Sequence, residues 1–171
     1  MALKDTLEKL KEQQNKQREA ERKAPQIIEE WQRSVDQLFS GIRGYLSEYE
    51  TGGLMVFSDQ MITLSEEALG SYQIKEMDIQ SGGTVVEVKP VGRIILGATG
   101  RVDMHVKGKT LEDDSVILLR APEKDTPNFI WRISTPVDKR TARRYHIPVG
   151  MRTYVLLTKA SLEEAVNWLL S

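Results

Sequence analysis

The chain contains no cysteine, which at once removes disulfide staples, thiolate nucleophiles and every cysteine-bearing zinc site. Histidine is nearly absent too. With only His105 and His146, a histidine-rich metal centre has too few ligands, and neither residue sits in a hydrolase motif such as G-x-S-x-G. Long uncharged runs are missing. No stretch approaches the roughly 18–20 residues that cross a bilayer, and the first six residues hold no apolar signal segment. The expectation is therefore a cytoplasmic protein without membrane insertion. The phosphate-cradling patterns G-x-x-x-x-G-K-[ST] and strand-linked G-x-G-x-x-G do not occur, so no nucleotide cofactor is expected. An excess of charge of one sign is also lacking: 24 Lys plus Arg against 25 Asp plus Glu leave a formal net charge of -1. Such a balance gives no global attraction to nucleic acid, and any such role must come from a local patch.

What is present divides into two rhythms. From Leu3 onward, alternating steps of four and three residues land on Leu3, Leu7, Leu10, Gln14, Gln17, Glu21, Ala24, Ile28, Trp31, Val35, Leu38, Ile42, Tyr45 and Tyr49. This is an unbroken heptad register, the mark of a long helix with one seam. Its middle is polar, with Gln14, Gln17 and Glu21 in the seam, so residues 1–24 read as a charged helical extension. Beyond Pro25 the apolar stripe widens through Ile27, Phe39 and Leu46, which predicts a helix over 26–49 docked on a core. Pro25 removes one backbone donor, and the expectation is two helical segments with a bend there. Gly41 and Gly44, costly inside a helix, suggest close backbone approach, and Gly52-Gly53 ends the segment.

After Gly53 the period drops to two. Strands are predicted at 54–57, 61–64, 72–79, 84–89, 93–98, 102–106, 115–119, 129–134 and 153–157, with turns that include Ser58-Asp59, Ser81-Gly82-Gly83, Thr99-Gly100 and Lys107-Gly108. Short connections without helical patterns predict antiparallel pairing. Ser161 and Glu164 read as an S-x-x-E capping box for a closing helix over 161–170. The expected fold class is α+β: a long bent N-terminal helix, then one domain over 25–171 whose seven to nine strands form a mainly antiparallel sheet, partly open barrel or sandwich. Trp168 in the closing helix, after a run of strands, resembles pleckstrin-homology-like domains. That resemblance implies a sheet sandwich and would make the basic residues candidate phosphate ligands.

Four groups of residues carry candidate chemistry. Asp78 followed by Glu87-Val88-Lys89 resembles the D…(D/E)-x-K pattern of the PD-(D/E)xK nucleases, which implies two carboxylates on a divalent metal with a lysine orienting water. Here an apolar run follows Pro90, where that family has a helix, and Glu87 and Lys89 share a face simply because the strand period is two. Residues 97–101, Gly-Ala-Thr-Gly-Arg, resemble the G-x-x-G loop of KH domains, although the alternation from Val102 to Val106 favours a turn between strands. Arg101, Asp103 and His105 project from one strand face as a polar cluster. Lys139-Arg140-Thr141-Ala142-Arg143-Arg144-Tyr145-His146, between Pro136 and Pro148, reads as a basic loop. Arg140, Arg143, Arg144 and Tyr145 could there hold a nucleic acid or other polyanion, or pair with Glu112-Asp113-Asp114.

The last group is Leu3, Leu7 and Leu10, an apolar patch remote from the docked segment. It points to a partner protein or a second copy of this chain. A non-catalytic binding or adaptor protein is the leading functional expectation. Polyanion binding and a metal-dependent nuclease follow it.

Overall fold

The computed structural model describes residues 2–93, 98–109, 115–137, 139–148 and 151–171, the Lys139 side chain excepted. The strand expected over 93–98 and the acidic stretch at 112–114 lie largely outside these residues. In chain order the elements are α1 (Leu3–Tyr45), α2 (Ser47–Thr51), β1 (Val56–Glu66), β2 (Gly70–Ser81), β3 (Thr84–Gly92), β4 (Arg101–Val106), β5 (Ser115–Pro122), β6 (Phe129–Ser134), α3 (Lys139–Tyr145), β7 (Val155–Leu156) and α4 (Lys159–Leu170).

The heptad stripe becomes one helix of 43 residues. It does not break into two at Pro25. The proline removes a single intrahelical hydrogen bond, and the register continues across it, so that Ala24 and Ile28 on either side both pack on the core. From there Trp31, Val35, Leu38 and Ile42 are buried at helical spacing, with Phe39 widening the stripe. The helix stops at Tyr45, and the buried Leu46 joins it to the short α2, whose end is marked by Gly53 at φ 74°. Gly41 and Gly44 answer differently from expectation. Nothing lies within 4 Å of a Cβ added at either, because both sit on the exposed side of α1.

The seven strands among the described residues pair antiparallel, in sequence order, as one open hydrogen-bonded sheet, followed by the closing helix α4. Two expected strands, at 54–57 and 61–64, merge into β1. Ser58 and Asp59, read as a turn, are paired in ladder with Asp78 and Met77, since the extended partner strand outweighs local turn preference. A register shift interrupts β3 between Pro90 and Gly92.

One face of the sheet carries the core. Ile79 and Met77 of β2, Val86 and Val88 of β3, Met104 of β4, Val116 and Leu118 of β5 and Ile133 of β6 are cross-strand neighbours on that face, under α1 and α4. Burial changes side within β2. Tyr72 and Ile74 are buried on one face of the strand, Met77 and Ile79 on the other, and Glu76 is enclosed beside the change.

The closing helix begins three residues earlier than a cap at Ser161 requires. Thr158 is the N-cap: its Oγ1 accepts from Ser161 N–H at 3.1 Å, and Ser161 Oγ accepts from Thr158 N–H at 2.8 Å. Ser161 thus plays the reciprocal role expected of Glu164, because its hydroxyl already serves the cap backbone. Leu162, Ala165, Val166 and Leu169 then seal the core. Lys159 Nζ pairs with Glu48 at 2.8 Å, and Tyr49 donates to Glu163 at 3.0 Å, tying α4 to the end of the first helical stretch.

Among the described residues, one charged side chain lies fully inside. Arg120, on β5, is 0% exposed and lies between the rings of Trp31 and Phe129, with its guanidinium carbon 5.2 and 4.1 Å from the ring centres. It donates to both carboxylate oxygens of Glu30 on α1 and twice to the Thr99 carbonyl, at 3.0 and 2.7 Å. Burial lowers its pKa, and the Glu30 hydrogen bond opposes that shift. Beside it, Gly100 packs directly on Trp31, which is itself stacked at 6.1 Å on Trp131.

Candidate functional site

The most exposed apolar surface lies at the start of α1. Every residue from 2 to 23 is exposed, and Leu3, Leu7 and Leu10 remain 73%, 55% and 56% exposed on one side of the helix. Asp5 accepts a hydrogen bond from Ala2 N–H at 3.2 Å and so satisfies one of the free donors of the first turn. Further along, Glu12 pairs with Lys16 at 3.6 Å and Glu19 pairs with Lys23 at 3.4 Å, spacings of four that sustain a solvated helix. None of these contacts covers the leucines. The three residues named from the sequence therefore share one uncovered stripe, carried by the same helix that anchors Trp31 in the core.

A second assembly lies across the face of the sheet opposite the core. Ser58, Asp78, Glu87, His105 and Ser115 are successive cross-strand partners on β1 to β5, so they form one row. The next row places Lys89 beside Asp103. The structure thus brings Asp78 and Glu87 to the same face and sets His105 beside them. His105 Nε2 lies 2.8 Å from Glu87 Oε2, and Lys107 Nζ lies 3.9 Å from Glu87 Oε1. Arg101 is bound at both ends of its fork by Asp103, at 2.8 and 2.9 Å. Gln60 donates to Glu76 at the border of the group.

Sequence reasoning missed Lys107, Glu76 and Gln60. Lys107 could have been found, since it stands two residues past His105. Arg152 could not. It arrives from a distant segment and closes the far end of the row by donating to the Ser134 and Ser115 carbonyls at 3.1 and 2.8 Å.

Two polar atoms in the row, Asp78 Oδ1 and His105 Nδ1, are buried without a hydrogen-bond partner among the described residues. Burial raises the Asp78 carboxyl pKa, and the neighbouring charges of Glu87 and Glu76 raise it further. A carboxylate whose pKa is higher in the folded state makes its ionised form a cost to folding at neutral pH. Asp78→Asn is therefore expected to raise stability at pH 7, by an amount that shrinks as pH falls through the raised value and vanishes below the ordinary aspartate range. Urea unfolding of both proteins across pH 3–8 checks this. A gain that grows toward acid contradicts the assigned sign. Among the described residues no three Asp, Glu or His side chains are grouped to hold a metal ion.

The basic run forms a helix, not the expected loop. Ala142 is buried and anchors α3, Ile147 N–H donates to the Ala142 carbonyl at 2.9 Å, and His146 at φ 52° ends the turn. Helix-favouring Arg and Ala between two prolines account for the difference. Arg140, Arg143, Arg144 and Tyr145 are exposed, and the Arg144 guanidinium lies 5.5 Å from the Tyr145 ring centre. Of the segment compared with a KH loop, Gly97 lies outside the described residues, and Gly100 leads directly into β4.

A cleft of about 800 Å³ runs between α1 and β6, bordered by Arg33, Gln37, Tyr45, Asn128 and Phe129. Glu30, the partner of Arg120, also borders it.

These features define an α+β protein with a seven-stranded antiparallel sheet and a projecting helix. No family model, no curated protein and no solved structure matches the chain. No described helix is long and apolar enough to cross a membrane.

Proposed function

We infer that this is a non-catalytic recognition module, in which the β domain anchors a helix whose free end docks on another helix, from a partner protein or a second copy. One observation carries the reading. The leucine stripe of residues 3–10 is exposed over its whole length, although the same helix is rigidly seated in the core from Ala24 onward. Leaving three leucines in water on a stable helix costs roughly 1.5–3 kcal/mol each relative to burial, a gain available to any helix that covers them.

Two measurements on the full chain test it together: light scattering across a concentration series, and anisotropy of a labelled synthetic helix with leucine heptads and uncharged flanks. The unaltered protein is expected to self-associate or to bind the peptide. The variant Leu3→Ser/Leu7→Ser/Leu10→Ser is expected to lose that behaviour at least tenfold while its unfolding curve stays unchanged. A protein that remains monomeric and ignores the peptide ends this reading.

A second reading rests on α3. Arg140 and Arg143 are exposed and make no ion pair among the described residues, so they are free to hold phosphate, with Tyr145 beside them for stacking. Replacing Arg140, Arg143 and Arg144 with glutamine should then abolish most single-stranded oligonucleotide binding and flatten its dependence on salt. Binding that is absent, or indifferent to salt, in the unaltered chain removes this alternative.

A further inference from the structure

The leucine stripe has a charged border on one side only. Taking Leu3, Leu7, Leu10, Gln14, Gln17 and Glu21 as the seam, the residues that follow Leu3, Leu10 and Gln17 are Lys4, Lys11 and Arg18, seven apart on one flank. The opposite flank carries Thr6, Gln13 and Ala20, all uncharged. Along this helix the cations differ in their engagement. Lys16, Arg22 and Lys23, on the side away from the seam, are each within 4 Å of Glu12 or Glu19. Lys4, Lys11 and Arg18 make no ion pair among the described residues. Of the acids near them, Glu12 and Glu19 pair at the rear of the helix and Asp5 accepts from the backbone of Ala2, while Glu8 and Glu21 make no ion pair among the described residues. Glu8 borders the small apolar hollow between Leu3, Lys4, Leu7 and Lys11.

This arrangement discriminates between occupants. In a parallel pair of identical helices, the cationic flank of one copy would face the uncharged flank of the other and gain nothing, while the two Glu21 side chains would meet in the seam. In an antiparallel pair the cationic flanks would face one another. Both arrangements of a second copy therefore lack the complementary border charges that set partner choice in coiled helices.

We propose that the docking face of α1 takes a different protein, through a helix that presents an apolar heptad stripe bordered by glutamate or aspartate level with Lys4, Lys11 and Arg18. The proposal rests on the docking reading given above and specifies its partner. The leucines supply contact area, and the three free cations supply selection. Toward the domain the free face ends where Gln17, Ala20 and Glu21 border a hollow against Glu66, Glu67 and Ala68.

The test uses the full chain and two labelled synthetic helices of 21 residues, both with leucine in the seam, one with glutamate and the other with lysine on the flanks. The expected result is that the glutamate helix binds at least tenfold more tightly at low salt, with the difference shrinking as salt rises. The variant Lys4→Glu/Lys11→Glu/Arg18→Glu should invert the preference. All three positions are exposed, and a circular dichroism spectrum shows whether the helix is kept. Equal binding of both helices overturns charge selection and leaves the docking reading standing. Failure to bind these helices and the uncharged one overturns both. Dimerisation at micromolar concentration that excludes the glutamate helix assigns the face to a second copy and overturns the proposal, as does binding to phosphatidylserine vesicles with the glutamate helix ignored.

Discussion

Glu30→Ala is expected to lower the free energy of unfolding by about 3–5 kcal/mol, because it leaves the Arg120 guanidinium inside the protein without its counter-charge. The neighbouring Arg93, whose Nε lies 3.6 Å from the same Glu30 carboxylate, places a second positive charge beside Arg120. The Thr99 carbonyl still receives two donors from Arg120, so the geometry of the site survives while its electrostatics fail. Adding Arg120→Met to the same chain should recover part of the loss, held short of full recovery because the Thr99 carbonyl then loses both Arg120 donors. The thioether side chain fills a similar volume between Trp31 and Phe129 and brings no charge. Urea unfolding of the two variants checks this directly. Were Glu30→Ala nearly neutral, the pair would be a solvent-screened contact and not the link between helix and sheet.

Gly100→Ala should cost about 3 kcal/mol or more, at the upper end of overpacking effects. The added Cβ would fall 2.4 Å from Cζ3 and 2.8 Å from Cη2 of Trp31. Neither side can easily give way. The indole is fully buried and backed by Trp131, and the Gly100 carbonyl is held by the Arg120 N–H at 2.9 Å. Trp31→Phe removes the ring atoms in question and leaves a cavity of its own. The double variant should consequently be less destabilised than the sum of the two single changes, a coupling readable in a double-mutant cycle. Strict additivity would mean that the contact is relieved elsewhere.

Much of the architecture was legible because it is periodic. The stripe from Ala24 to Ile42 announced a docked helix, and the alternation in Val102 to Val106 reappears as buried and half-buried positions in turn. Local signals failed where a partner overruled them. Ser58-Asp59 carries turn chemistry yet lies in β1, since eleven paired positions along β2 define that strand. Pro25 carries a helix stop yet is passed, since the residues on both sides are held by the core. The candidate surfaces show the same division. Leu3, Leu7 and Leu10 were visible as a repeat, whereas the row Asp78–Glu87–His105 required the pairing of three strands to become one group. Glu30 and Arg120, 90 positions apart, leave no trace in any local pattern. Their meeting depends on where α1 crosses β5, which only the tertiary structure determines.

Because a single helix is both foundation and outreach, it also sets a distance. The 21 residues from Leu3 to Lys23, at about 1.5 Å of rise each, carry the helix roughly 30 Å past its outermost buried residue, Ala24, with Gln17, Ala20 and Glu21 still bordering the β1–β2 turn. A molecule captured at the tip would be held away from the sheet by a spacer of fixed length, and with an angular setting fixed by the helical pitch. Inserting one residue between Arg18 and Ala24 would turn the leucines by about 100° relative to the domain, whereas inserting seven would lengthen the spacer and nearly preserve its bearing.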